Sequence, residues 1–168
     1  GSIDLNEGHG SQLGNTIYTQ DANSQNIGAV LNVWIAYGAV IENATGGSGN
    51  DTLTGNAVAN VLDGGAGADT LIGGNGSDRY HVGSSGDKVT ETNAVASSGG
   101  TDLVWSSLAA YTLGANVENL RILSTGAANG TGNGLANTLY AGAGNNVLNG
   151  GSGTDTVSYS YATAGVSL

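Results

Sequence analysis

Asp51, Asp69, Asp78 and Asp87 occupy one and the same position of a nine-residue phrase that runs from Gly46 to Thr90. Gly46–Thr54, Gly64–Ile72 and Gly73–His81 follow G-G-x-G-x-D-x-U-x, with U apolar; Gly55–Asp63 is a degenerate copy, and Val82–Thr90 stays in step although its first glycine is lost. Glycines at positions 1, 2 and 4 allow positive φ and a tight turn without Cβ clashes. Such a turn can aim carbonyl oxygens inward, and the Asp at position 6 adds a charged oxygen. An all-oxygen set of this kind suits a hard cation, calcium above all. The same type at the same position is more than a solvated acidic surface needs, although acids such as Asp21 and Glu91 read as just that.

The elements that must position these loops follow from the remaining letters. The apolar residue at position 8 (Leu53, Leu62, Leu71, Tyr80, Val89) sits on a short strand and faces a core. Two nonapeptides make one turn, so residues 18 apart stack: Asp51, Asp69 and Asp87 on one edge, Asn60 and Asp78 on the other. Turns spaced by about 4.8 Å, the ordinary distance between strands, set neighbouring carboxylates repelling by about 3–4 kcal/mol at an effective dielectric of about 20. A divalent cation between turns reverses that sign. The nonapeptide is the sequence signature of a calcium-loaded parallel β-helix, so the fold expected is all-β: a right-handed parallel β-roll with flanking irregular β segments. Without metal the repeats are expected to lack enough buried apolar surface to stay ordered, as in other metal-coupled folds.

The chain divides into a β-rich lead-in (1–45), a first roll (46–90), a β spacer (91–131) and the start of a second roll (132–168). Strand candidates outside the repeats are Ile3-Asp4-Leu5, Leu31–Ile35, Leu103-Val104-Trp105 and Leu120–Leu123; glycine interrupts every apolar helical period. Val40-Ile41-Glu42-Asn43 and Asn116-Val117-Glu118-Asn119 each lead into a repeat block. Gly1-Ser2 reads as a cloning scar and the pattern is cut at Val166-Ser167-Leu168, so a fragment of a longer protein is expected. Among 168 residues there are 31 Gly, no Pro and no Cys, which excludes disulfides. A net charge of −10 makes nucleic acid and anionic membrane poor partners. No apolar run is long enough to span a membrane, and the N-terminus carries no Sec-type signal.

These residues resemble the RTX family of secreted bacterial proteins. Ile41 to His81 looks like the C-terminal domain of serralysin-type metallopeptidases, and Ile3–Glu7 and Ile35–Gly38 before it resemble the stretch joining that domain to the protease; Gly100–Asp102 through Tyr111–Leu120 is similar to linkers in multi-roll RTX proteins. The resemblance implies ions held between successive turns. Gly47, Gly49 and Asp51 would act with Gly64, Ala66 and Asp69. On the same edge, Gly65, Gly67 and Asp69 would act with Val82, Ser84 and Asp87. On the opposite edge Asn56, Val58 and Asn60 would act with Gly73, Asn75 and Asp78, a weaker site because Asn60 replaces a carboxylate. In the second block Asn137 faces Asp155, and Asn146 has no partner.

Catalysis is not expected of this chain. His9 and His81 do not form the His-Glu-x-x-His of a zinc peptidase, there is no G-x-S-x-G elbow, and both histidines read as surface residues. Trp34 and Trp105 read as core or strand-face aromatics, and Tyr159 and Tyr161 as half-buried packing. The resemblance implies a calcium-triggered folding module, extracellular and exported by type I secretion, that accompanies a secreted hydrolase, a zinc peptidase foremost. The alternatives are an interaction module of a large RTX adhesin or part of another secreted RTX hydrolase, lipase-like.

Overall fold

The computed structural model describes residues 1–7, 10–20, 26–34, 37–93 and 99–162; His9 and Ile35 lie outside these. Sixteen strands and no helix make up the described chain. They are β1 (Ser2–Asp4), β2 (Gly10–Gln20), β3 (Asn26–Trp34), β4 (Asn43–Thr45), β5 (Thr52–Thr54), β6 (Val61–Asp63), β7 (Thr70–Ile72), β8 (Arg79–Val82) and β9 (Lys88–Thr90), then β10 (Leu103–Ser106), β11 (Ala110–Thr112), β12 (Asn119–Ile122), β13 (Ala128–Thr131), β14 (Thr138–Tyr140), β15 (Asn146–Asn149) and β16 (Thr156–Ser158).

From β4 onward, consecutive strands alternate between two faces, as a solenoid requires. One face is a single seven-stranded sheet in the order β16-β14-β12-β10-β8-β6-β4. The other carries β5-β7-β9, extended by β1 and the hairpin β2–β3, and then β11-β13-β15 as a separate sheet. Neighbours from β4 to β16 pair in parallel, and only β2 pairs antiparallel, with β1 and β3. The expected parallel β-roll is therefore the observed fold.

The repeat strands β5, β6 and β7 are three residues long because only the middle residue of each faces inward. Leu53, Leu62, Leu71 and Tyr80 are fully buried, while Val89 is partly buried against the same cluster. One large apolar side chain per strand fills the gap between the faces, and the flanking residues look outward, the period-2 alternation of a half-buried strand.

The stretch between the repeat blocks joins the same stack. Arg79 pairs with Leu103, Leu103 with Asn119, Asn119 with Thr138 and Thr138 with Thr156, giving turns of 24, 16, 19 and 18 residues. Val104, Leu120 and Leu139 carry the buried column onward from Tyr80. The lead-in contributes β1, which lies parallel to β5 with Ile3 opposite Leu53. The 11-residue β2 has no counterpart in the strand candidates read from sequence. Trp105 lies on the outer face of the long sheet, its ring 4.8 Å from that of His81 and under the guanidinium of Arg79 at 4.6 Å. Tyr159 and Tyr161 are exposed rather than half-buried, and Tyr161 lies over Arg121 at 3.6 Å. Among the described residues no helix is long and apolar enough to cross a membrane.

Candidate metal centre

Strand ends throw the repeat loops onto the two edges of the roll, and position-6 side chains build a ladder along each. On one edge the Asp51 amide donates to Asp69 Oδ1 at 2.8 Å and the Asp69 amide to Asp87 Oδ1 at 3.1 Å. On the other, Asn60 donates to Asp78 Oδ1, Asp78 to Asp102 Oδ1 and Asp102 to Glu118 Oε2, each at 2.8 Å. Further along, Asn137 donates to Asp155 Oδ1 at 2.9 Å. Every rung is one turn of the roll, so each carboxylate closes the turn before it.

Asp102 and Glu118 were not among the ligands read from sequence, because turns of 24 and 16 residues break the 18-residue arithmetic. A local signal did exist. Gly100-Thr101-Asp102 copies Gly76-Ser77-Asp78, and Gly100 (φ 91°) stacks on Gly76 (φ 101°). In the next turn Asn116 takes the same place at φ 63°, the only non-glycine with positive φ among the described residues.

What each loop does with the second oxygen separates two kinds of loop. In one kind the position-2 amide turns inward and closes on the position-6 side chain: Gly47 on Asp51 Oδ2, Asn56 on Asn60, Gly83 on Asp87 and Asn133 on Asn137. In the other, positions 2 and 4 both take positive φ: Gly65 and Gly67, Gly74 and Gly76, Gly151 and Gly153. Gly65 then donates to Asp63 and Gly151 to Asn149 instead. Asp69 Oδ2 and Asp78 Oδ2 are left buried without a hydrogen-bond partner. An unpaired buried carboxylate oxygen is destabilising by more than the roughly 1–3 kcal/mol of a neutral group, and a cation bound there would remove that penalty. The donor set fits a calcium ion.

Position 1 is glycine for a reason other than the positive φ expected of it. A Cβ on Gly64 would collide with the Asp69 carboxylate, and one on Gly150 with that of Asp155. The carboxylate occupies the space a side chain would need.

The loops paired from sequence do face each other. Gly65 and Gly67 pack on the carbonyls of Gly47 and Gly49, the Gly64 carbonyl lies against Gly46, and the Ala66 amide donates to the Gly47 carbonyl at 3.0 Å. Asp51 itself holds the N-terminal ammonium, which, with the Gly47 amide, keeps its carboxyl below the usual range. In the second pair, the Ser84 amide joins Gly83 on Asp87 Oδ2, and the Val82 carbonyl accepts from the Ser107 amide at 3.1 Å. In the third, Val58 donates to Asn56 Oδ1, and the Asn75 side chain accepts from Asn93. Gly73 stacks on Gly55. Asn146 stacks on Ala128, which has no side-chain oxygen to share an ion, and its side chain donates instead to the Ala128 carbonyl at 3.0 Å.

Asn60 and Asn137 solve the charge problem differently. The Asn60 amide group donates to the Glu42 carbonyl at 3.2 Å, and that of Asn137 to the carbonyls of Val117 and Glu118 at 3.1 Å each. An amide thus gathers carbonyls that a carboxylate could gather only through a cation. Asn60→Asp is therefore expected to tighten calcium binding at this site while destabilising the calcium-free turn by about 1–3 kcal/mol. Calorimetric calcium affinity, and urea midpoints at saturating and limiting calcium, check both halves.

Asp78, Glu91 and Asp102 form a buried group whose carboxylate oxygens lie within 4.8 Å of one another. Burial pushes Asp78 up to about 6. Burial, with the charges of Asp78 and Glu118, pushes Asp102 up to about 7. Burial, then the charges of Asp102, Asp78 and Glu118, pushes Glu91 up to about 8. All three folded-state values exceed their unfolded values near 4, so the folded chain keeps protons that the unfolded chain releases. Stability in chelator is then highest below about pH 4 for these groups and falls as pH climbs from there through 8. Circular dichroism of chelated protein is expected to show strand signal rising toward pH 5 and fading toward pH 8.

No curated protein matches the chain as a relative. Residues 45–80 and 131–160 match the RTX calcium-binding nonapeptide repeat, in four copies. Over these two blocks the chain is built of RTX calcium-binding repeats, stacked as a parallel β-roll.

Proposed function

We propose that the chain is a folding module whose roll is completed by several calcium ions held between successive turns. The ligands would be those named from the repeat spacing: Gly47, Gly49 and Asp51 with Gly64, Ala66 and Asp69; Gly65, Gly67 and Asp69 with Val82, Ser84 and Asp87; and Asn56, Val58 and Asn60 with Gly73, Asn75 and Asp78. Asp155 would serve in the second block. The observation that supports this reading best is the pair Asp69 and Asp78, each buried, each with one oxygen in the ladder and the other without a partner. In low calcium these unpaired charges would keep the loops open. In millimolar calcium, as outside a cell, they would close.

That logic fits a chain exported unfolded through a type I channel and folded outside. It would there serve as the non-catalytic part of a secreted zinc peptidase, the parent that the serralysin-like stretch 41–81 favours. A second reading rests on the long sheet, which runs through both repeat blocks without a break: a rod of this kind suits a spacer or interaction module of a large RTX adhesin.

The test is a calcium titration of chelator-treated protein followed by far-UV circular dichroism. A cooperative coil-to-strand transition with more than one calcium bound is the expected result. A strand spectrum indifferent to calcium would overturn the proposal.

A further inference from the structure

Position 1 of the sixth nonapeptide place is Glu91, where the repeat breaks into the longer turn that ends at Asp102. Glu91 stands 18 residues after Gly73 and stacks on it. A Cβ on Gly73 would meet three groups at once: Asp78 Oδ2, Glu91 Oε1 and the Tyr80 hydroxyl. These atoms crowd one point inside the roll.

None of the three is satisfied there. Asp78 is 1% exposed and Glu91 6%; Asp78 Oδ2 lacks a hydrogen-bond partner, and the Glu91 carboxylate faces the Gly74 amide without making a hydrogen bond of ordinary geometry to it. Independently of the acids, Tyr80 is fully buried and its hydroxyl also lacks a partner, although it points into the same space. Buried tyrosine hydroxyls ordinarily find one. Asp102, 1% exposed, completes the group with an oxygen within 4.8 Å of the others. No lysine or arginine offsets this charge: Arg79, on the same strand as Tyr80, is exposed and stacks on Trp105 outside the sheet.

We propose that Asp78, Glu91 and Asp102, with the Tyr80 hydroxyl as a neutral fourth oxygen, hold one divalent cation, calcium, inside the roll at the break in the repeat. Three carboxylates and a hydroxyl are hard oxygen donors. Oxygens up to 4.8 Å apart suit a Ca–O distance of about 2.3–2.6 Å rather than the tighter shell of magnesium. The site differs from a loop site in its donors. A loop site draws on carbonyls and position-6 acids at the edge, whereas this one adds a position-1 acid from the irregular turn and a core phenol. Its ion would pin the 24-residue turn to the regular roll.

The experiment counts calcium by native mass spectrometry and calorimetry on the intact chain and on Glu91→Gln, Tyr80→Phe and Asp69→Asn. Glu91→Gln is expected to bind one calcium fewer than the parent, and Tyr80→Phe to bind one of its ions roughly tenfold more weakly with the count unchanged. Asp69→Asn reports the loop sites separately. A lower count in Asp69→Asn alone, with Glu91→Gln and Tyr80→Phe both matching the parent, would overturn this inference and leave the loop sites standing. Absence of calcium from all four proteins would overturn both. Should Glu91→Gln fail to fold, Tyr80→Phe decides, since it leaves every charge in place: unchanged affinity at all sites would overturn the site.

Discussion

Asp69→Ala is expected to lower the stability of the calcium-saturated protein by about 4–6 kcal/mol. About 1.5–3 kcal/mol of this is the hydrogen bond that the Asp51 amide donates to a charged acceptor. About 2.7 kcal/mol more is the linkage lost when an ion present at roughly a hundred times its dissociation constant no longer binds. Asp69 belongs to two of the proposed loop pairs, above and below, so it has the largest share of that edge. The two parts separate by calcium concentration. Urea midpoints of parent and variant should converge as calcium is lowered toward the concentration at which the parent itself loses its fold. A penalty that stays the same at every calcium concentration would reduce Asp69 to a rung of the ladder and remove it from the ligand set.

Gly64→Ala should be nearly as harmful, about 3 kcal/mol, whereas Gly49→Ala should fall within about 0.5 kcal/mol of the parent. Both glycines are repeat positions that the pattern treats alike. The structure does not: a Cβ at Gly64 lands on the Asp69 side chain, and one at Gly49 meets nothing within 4 Å. Neither residue has positive φ, so backbone strain does not confuse the comparison. Thermal unfolding of the two variants in excess calcium measures the difference. Equal losses would mean that these glycines serve turn flexibility alone and that the steric account of position 1 is wrong.

The parts of this molecule that sequence makes plain are those governed by an unbroken period. Leu53, Leu62, Leu71 and Tyr80 could be assigned to the core because one apolar residue per nine has nowhere else to go. Asp51, Asp69 and Asp87 fall into a column by counting 18. Asp102 and Glu118 escape that count, yet they are rungs of the same ladder, because a solenoid fixes strand spacing and not turn length, and the strands stay in register across longer and shorter turns. Glu91 looks like an ordinary surface acid until its place above Gly73 is known. Asn60 reads as a weaker ligand, and only the carbonyls of Ile41 and Glu42 around its amide show that it also ties its turn by hydrogen bonds. Those contacts depend on the lead-in, whose path no repeat dictates.

The ladder also has a polarity. Each rung of the position-6 ladder runs from a backbone amide to a side chain one turn further along the chain, whereas the strand amides beside it run the other way, Thr70 to the Asp51 carbonyl and Arg79 to that of Asn60. Shortening the roll from the C-terminal side takes an acceptor from the last remaining turn and strands a buried amide. Shortening it from the other side takes only a donor from the ladder, and the carboxylate that loses it can turn to a cation. In a one-dimensional stack, where each unit touches only its neighbours, this asymmetry gives order a direction of travel. A chain arriving with its high-numbered end first could close each ladder rung as it appears, whereas one arriving from the other end would wait one turn for every rung.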